Sequence, residues 1–115
     1  MVHFLKIYPQ FFNDIVFGVR IFDERTKKYF YRHKNFEVRK KDRNYKEGDY
    51  IAFNEFDPDR GYTGRSFVVQ ICYILNDDRY CKDGYVILVF KLCLVNPFSC
   101  VLSEDNFFKE TEGKL

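Results

Sequence analysis

Short stretches where apolar residues crowd together or alternate with polar ones make the chain read mostly as strands. Val2 to Tyr8 is apolar-rich and suits a strand. The period then changes. Phe11, Phe12, Ile15 and Val16 fall at helical spacing, Pro9 suits a first helical turn that does not need its N–H, and Gly18 is a natural stop. Val19 to Phe22 and Lys28 to Arg32 flank the polar Asp23-Glu24-Arg25-Thr26 and are predicted to pair as a hairpin. Asn35 to Lys40 reads as a strand with Phe36 and Val38 on its buried face and Glu37 and Arg39 together on the other. Tyr50 to Phe56 follows the turn signal Gly48-Asp49. Arg65 to Leu75 and Tyr85 to Val95 are long, rich in Val, Ile, Phe and Tyr, and expected at the centre of a sheet. Asp57-Pro58-Asp59-Arg60-Gly61 reads as a hairpin turn, and Asn76 to Gly84 as a polar excursion. After Pro97 the pattern weakens. A short helix is expected from about Ser103, with fraying from Lys109 onward. The fold class this predicts is α+β and β-rich, a small curled sheet or barrel with one early helix.

Composition narrows the class. A chain of 115 residues supports one domain with one modest core, and 46% hydrophobic with 20% aromatic residues is too apolar for a disordered chain. The apolar run Val86 to Phe90 stops at Lys91, far short of the roughly 20 residues that cross a bilayer. Lys6 and Asn13-Asp14 interrupt what would be the apolar core of a signal peptide. A soluble, cytoplasmic domain with no membrane contact is the expectation. Cys72, Cys81, Cys93 and Cys100 show no CxxC spacing and have no histidine close by, so no metal or other cofactor is expected. Cys72 and Cys93 lie within apolar runs, which predicts small buried side chains.

Charge adds a direction. Residues 20 to 47 carry eleven Lys or Arg against five Asp or Glu, a net of +6, while the rest carries eight against twelve, a net of −4. Tyr29, Phe30, Tyr31, Phe36 and Tyr45 are interleaved with the basic residues. Cations suit phosphates and rings suit unpaired bases, so this segment points toward single-stranded nucleic acid, although a solvated charged face has the same composition.

Lys34-Asn35-Phe36-Glu37-Val38-Arg39-Lys40-Lys41-Asp42-Arg43, followed by Tyr45-Lys46-Glu47-Gly48-Asp49, carries a family pattern together with the opening Leu5-Lys6-Ile7-Tyr8-Pro9 and the later Tyr62-Thr63-Gly64-Arg65. Over about residues 2 to 95 the chain resembles the ASCH family of the PUA-like superfamily, including small bacterial and phage proteins of unknown function. The resemblance implies a small β-barrel with one helix and a cleft that binds RNA or modified nucleosides. It divides the chain into a domain over 1–96, with an insertion at about 19–33, and an extension over 97–115. The insertion is a departure: Lys34 lies sixteen positions beyond Gly18, where the family places its Lys two positions after the glycine. Gly18-Val19-Arg20-Ile21-Phe22-Asp23-Glu24-Arg25 looks like a second, degraded copy of the motif, but only the copy at Lys34 continues into Lys40-Lys41-Asp42-Arg43 and Gly48-Asp49.

The expected function is binding of RNA or another single-stranded nucleic acid through a basic cleft around the K-x-x-E-x-R motif. Lys34, Arg39, Lys40 and Arg43 would contact phosphates, and Glu37 would read a base or fix Arg39. Tyr8 and Tyr62 would stack at the rim, with Arg65 also in the binding set. Two alternatives stand beside it. Some relatives hydrolyse acetylated cytidine with a Lys, a nucleophilic Thr and a Glu. Lys34 matches that Lys, yet the Thr position falls on Glu37, which has no hydroxyl. A ribonuclease would need acid–base groups or a metal near a phosphate, and Lys34, Glu37 and Asp42 are the candidates to supply such groups. The other alternative is a phage-type inhibitor that docks on a protein partner through the inserted hairpin, residues 20 to 33, or through the acidic tail.

Overall fold

The two long Val-, Ile- and Phe-rich stretches lie side by side and carry the sheet. The computed structural model describes residues 1–96. The elements are β1 (Val2–Ile7), α1 (Pro9–Val16), β2 (Val19–Asp23), β3 (Lys28–Arg32), β4 (Phe36–Lys40), β5 (Tyr50–Asp57), β6 (Gly61–Leu75) and β7 (Tyr85–Asn96). A five-stranded sheet has the order β1-β5-β6-β7-β4, and β2 and β3 form a separate two-stranded sheet. Only β1 pairs in parallel, with β5; the other pairings are antiparallel. A parallel pair needs a long crossover, and here it contains α1, the hairpin and β4.

The sheet curls into a half-barrel. Register shifts between Asn54 and Phe56 on β5, and between Val68 and Val69 and between Ile71 and Tyr73 along β6, are the local cause, because each bulge bends and twists its strand. The concave face carries the core: Ile51 and Phe53 from β5, Phe67, Val69 and Ile71 from β6, and Val86, Leu88 and Phe90 from β7. Phe53 and Phe67 face each other across β5 and β6 with ring centroids 5.1 Å apart. The helix closes this face. Pro9 opens it, the N–H groups of Phe11 and Phe12 donate to the Tyr8 carbonyl, and Phe12 and Ile15 point inward from one helical stripe. Phe12 meets Phe67 edge-on at 5.2 Å. Truncating a ring buried this fully costs about 3–5 kcal/mol. Alternation sends Ala52 and Val68 to the outer face, where Val2, Phe4 and Leu94 pack around them.

Gly18 ends α1 with φ +76°, its N–H donating to the Asn13 carbonyl. From there β2 and β3 leave as the hairpin expected at about 19–33. At its base the Lys34 N–H donates to the Asp14 carbonyl, and His33 Nδ1 lies 3.1 Å from the Ile15 carbonyl.

Two sequence expectations are corrected. Phe36 and Val38 are not the buried face of β4: they are 43% and 53% exposed, whereas Glu37 is 6% exposed. Period-two alternation puts Glu37 and Arg39 on one side but does not say which side is concave. Here the charged pair turns inward because each group finds a partner there. Cys72 and Cys93 are exposed rather than buried. Each falls at a bulge, skipped by the cross-strand pairing that joins its neighbours, so the apolar run around it does not carry it inside. The helix and fraying expected after Pro97 lie outside the described residues.

Candidate functional site

A half-barrel leaves two sheet edges facing each other, here β1 and β4. They are joined not by a ladder but by a side chain: Arg39 Nη2 donates to the Lys6 carbonyl at 2.7 Å. Beside this link lies a cavity of about 500 Å³. One wall is the end of β1, Leu5 to Ile7, with Tyr8; the other is Glu37 to Lys40 of β4. Phe11, Tyr45, Phe56 and Tyr85 supply rings, and Asp42 a further carboxylate.

Glu37 holds the cavity's charged wall together. One carboxylate oxygen pairs with the Lys34 ammonium and the other lies 3.2 Å from Arg39 Nη2. The Glu37 side chain is 8% exposed, against 17% for Lys34 and 25% for Arg39. A carboxylate so enclosed is tolerable only because both oxygens meet cations. Rings complete the cage. The Lys34 ammonium sits 4.2 Å from the Phe11 centroid, and the Arg39 guanidinium 5.5 Å from that of Phe53. Arg39 Nε is buried without a hydrogen-bond partner.

Two further polar clusters brace the half-barrel. Glu55, 2% exposed, accepts from Arg65 through Nε at 2.8 Å and Nη2 at 2.6 Å, and also from the Thr63 hydroxyl. Hydrogen bonding from Arg65, more than offsetting burial, holds the Glu55 carboxyl below the usual carboxylate range, and the Arg65 guanidinium is pushed up by the same bond. Arg65 also reaches Asn13 Oδ1 at 3.2 Å and lies over the Phe12 ring at 4.3 Å. The second cluster ties β1 down. His3, 4% exposed, has Nε2 2.8 Å from Asp49 Oδ2, and the Lys46 N–H donates to the same carboxylate oxygen. Burial alone would raise Asp49, but hydrogen bonds from His3, Lys46 and the N-terminal ammonium win and hold its carboxyl low. The ionised carboxylate only accepts, so His3 Nε2 carries the donated hydrogen. Tyr45 packs against His3 with centroids 4.7 Å apart and the rings tilted by 55°, and burial pushes its phenol up.

The structure brings Tyr8, Glu37, Arg39 and Lys40 into the cavity wall, with Lys34 behind Glu37. Tyr62 packs edge-on against Phe56 at 5.1 Å, next to the wall. Arg43 lies outside it, 3.7 Å from Asp42, and Arg65 is engaged with Glu55. Asp42, a candidate acid–base group, also lines the cavity, whereas sequence reasoning missed Lys6, Phe11, Tyr45, Phe56 and Tyr85. Lys6 and Tyr45 stood within quoted motifs, whereas nothing in the local pattern singles out Phe11 or Tyr85. Among the described residues no three His, Cys, Asp or Glu side chains come together to hold a metal ion.

No curated protein matches the chain. Residues 30–90, just over half of its length, match a family described as a domain of unknown function, and the matched segment runs from the hairpin's second strand through β4, the Gly48-Asp49 turn and the first half of β7. By that match the chain belongs to the DUF3850 family.

Proposed function

We propose that this protein binds single-stranded nucleic acid, RNA being the class its ASCH-like motif implies, with one nucleotide held in the cavity between β1 and β4. The observation that carries the reading is the composition of that cavity. Its volume of about 500 Å³ lies within the roughly 300–1,000 Å³ of small-ligand sites. Tyr8, Phe11, Tyr45 and Tyr85 offer faces or edges to a base, and Lys6, Arg39 and Lys40 offer cations to its phosphates. Both Glu37 oxygens are already taken, so its role is to fix Arg39 rather than to read a base. Lys40, exposed on the wall, is the better phosphate contact. On this reading the chain is a PUA-like domain of the cytoplasm, with the hairpin as its insertion.

Hydrolysis is less well supported. The hydroxyl of Thr63 does meet a carboxylate, that of Glu55, but Arg65 keeps Glu55 ionised and makes it a weak base. The test is fluorescence anisotropy with a 12-nucleotide single-stranded RNA in 50 mM salt and above. Wild type should bind with a clear salt dependence. K40A should bind less tightly, with a slope of log affinity against log salt smaller by about 0.7. A wild-type protein that retains neither RNA nor DNA at low salt overturns the proposal.

A further inference from the structure

The hairpin has two unlike faces, and the register separates them. Arg20 pairs with Tyr31 and Phe22 with Tyr29, so these four side chains share one face; Val19, Ile21, Phe30 and Arg32 share the other. Every member of the first face is exposed: Phe22 by 41%, Tyr29 by 57%, Tyr31 by 63%, and Arg20 in the same class. On the second face Val19 and Ile21 are half-buried, while Phe30, at 49%, and Arg32 are exposed. What sets the first face apart is that its side chains are organised. The Arg20 guanidinium lies 3.7 Å from the Tyr29 centroid, and Tyr29 and Phe22 are 5.0 Å apart. Such a ring cluster in water is unfavourable unless something covers it.

We infer that this face is a stacking platform for the unpaired bases of a single-stranded nucleic acid whose neighbouring nucleotide occupies the cavity. The inference rests on the cleft reading for the ligand class, but on different residues. Three features select this occupant. Residues 19 to 33 carry five Lys or Arg against two Asp or Glu, so a polyanion is attracted. Arg20, held over the Tyr29 ring, still has N–H donors to offer phosphates, and no carboxylate among the described residues forms an ion pair with it. Tyr29 and Tyr31, two residues apart on one strand, are separated by about 7 Å. That is about twice the ~3.4 Å rise per nucleotide of a stacked duplex strand, so the spacing suits a strand drawn open, one base to a ring. The chain leads from the platform to the cavity wall in few residues: β3 ends at Arg32, and Lys34, two positions on, pairs with Glu37.

Length dependence tests this. Single-stranded RNAs of four and twelve nucleotides are titrated by anisotropy against wild type, Y29T/Y31T, F30T and K40A. Threonine keeps the strand propensity while removing the ring, and F30T alters the opposite face. Wild type should bind the 12-mer at least ~10-fold more tightly than the 4-mer. Y29T/Y31T should lose most of that advantage with the 4-mer affinity unchanged, and F30T should keep it. Equal losses on both lengths, or an unchanged 12-mer affinity in Y29T/Y31T, overturn the platform while leaving the cleft reading intact. Loss of length advantage in Y29T/Y31T together with no effect of K40A on either RNA overturns the cleft and keeps the platform. A 12-mer that wild type does not bind overturns both.

Discussion

Glu37 is the keystone of the seam, and E37Q measures how much the seam depends on it. Gln has nearly the shape of Glu, so packing is preserved and charge alone is removed. The amide oxygen can still accept from one cation, so about one charge-assisted hydrogen bond is lost, about 1.5–3 kcal/mol. The two cations are then left facing each other. Breaking a fully buried pair costs about 3–5 kcal/mol, but Lys34 and Arg39 keep 17% and 25% of their surface in water, which screens part of that. A net loss of about 2–3 kcal/mol follows, or about 10–15 °C in melting temperature for a domain of this size. Circular dichroism melts at pH 7 read this directly. K34M places an apolar chain against the Phe11 and Phe36 rings and removes the stranded ammonium. The double variant K34M/E37Q should therefore recover about half of the E37Q loss. An E37Q melting temperature within about 2 °C of wild type, or a double variant equal to the sum of the singles, refutes the argument that the carboxylate holds the two cations.

Acid should act first through Glu55 and Asp49. Both have folded-state carboxyls below their unfolded values, so the unfolded chain binds more protons and stability rises with pH through that window. The contribution is complete above the ordinary carboxylate range of about 4 and is lost as pH falls toward the lower folded values. Melts from pH 7 to pH 2.5 should be flat and then fall, and E55Q should be less stable at pH 7 with a shallower acid slope. G18A should loosen the hairpin: the added Cβ would sit 2.9 Å from the Arg32 carbonyl oxygen in a backbone region that alanine avoids. A loss of about 1–3 kcal/mol and faster hydrogen exchange of the β2–β3 amides are expected, and an unchanged exchange pattern contradicts the contact.

Where the chain repeats a strong local signal, its elements are legible before any coordinates. Pro9 and Gly18 bracket α1, and the polar turn between Phe22 and Lys28 marks the hairpin. Orientation was less accessible. The alternation in Phe36-Glu37-Val38-Arg39 has two faces of mixed character, and only the curl of the sheet, set by distant bulges, decides which is inside. The Glu55–Arg65 pair was open to a longer count, because Ile51, Phe53 and Glu55 continue one face and Arg65, Phe67 and Val69 another. The cavity itself joins Leu5 to Tyr8 with residues more than thirty positions later, and no local pattern encodes that meeting.

The parallel docking of β1 on β5 bears on when the cavity can first form. Val2 to Ile7 must find Tyr50 to Glu55, a pairing of ends 48 residues apart in the chain. Closing so long a loop is entropically slow compared with the neighbouring antiparallel turns. Until it closes, the Lys6 carbonyl has no Arg39 to meet and one side of the cavity does not exist. During synthesis the N-terminal segment therefore waits for β5 to emerge, and β4 waits longer still for β7, so the cavity between β1 and β4 forms only when the half-barrel is complete rather than growing as each strand is added.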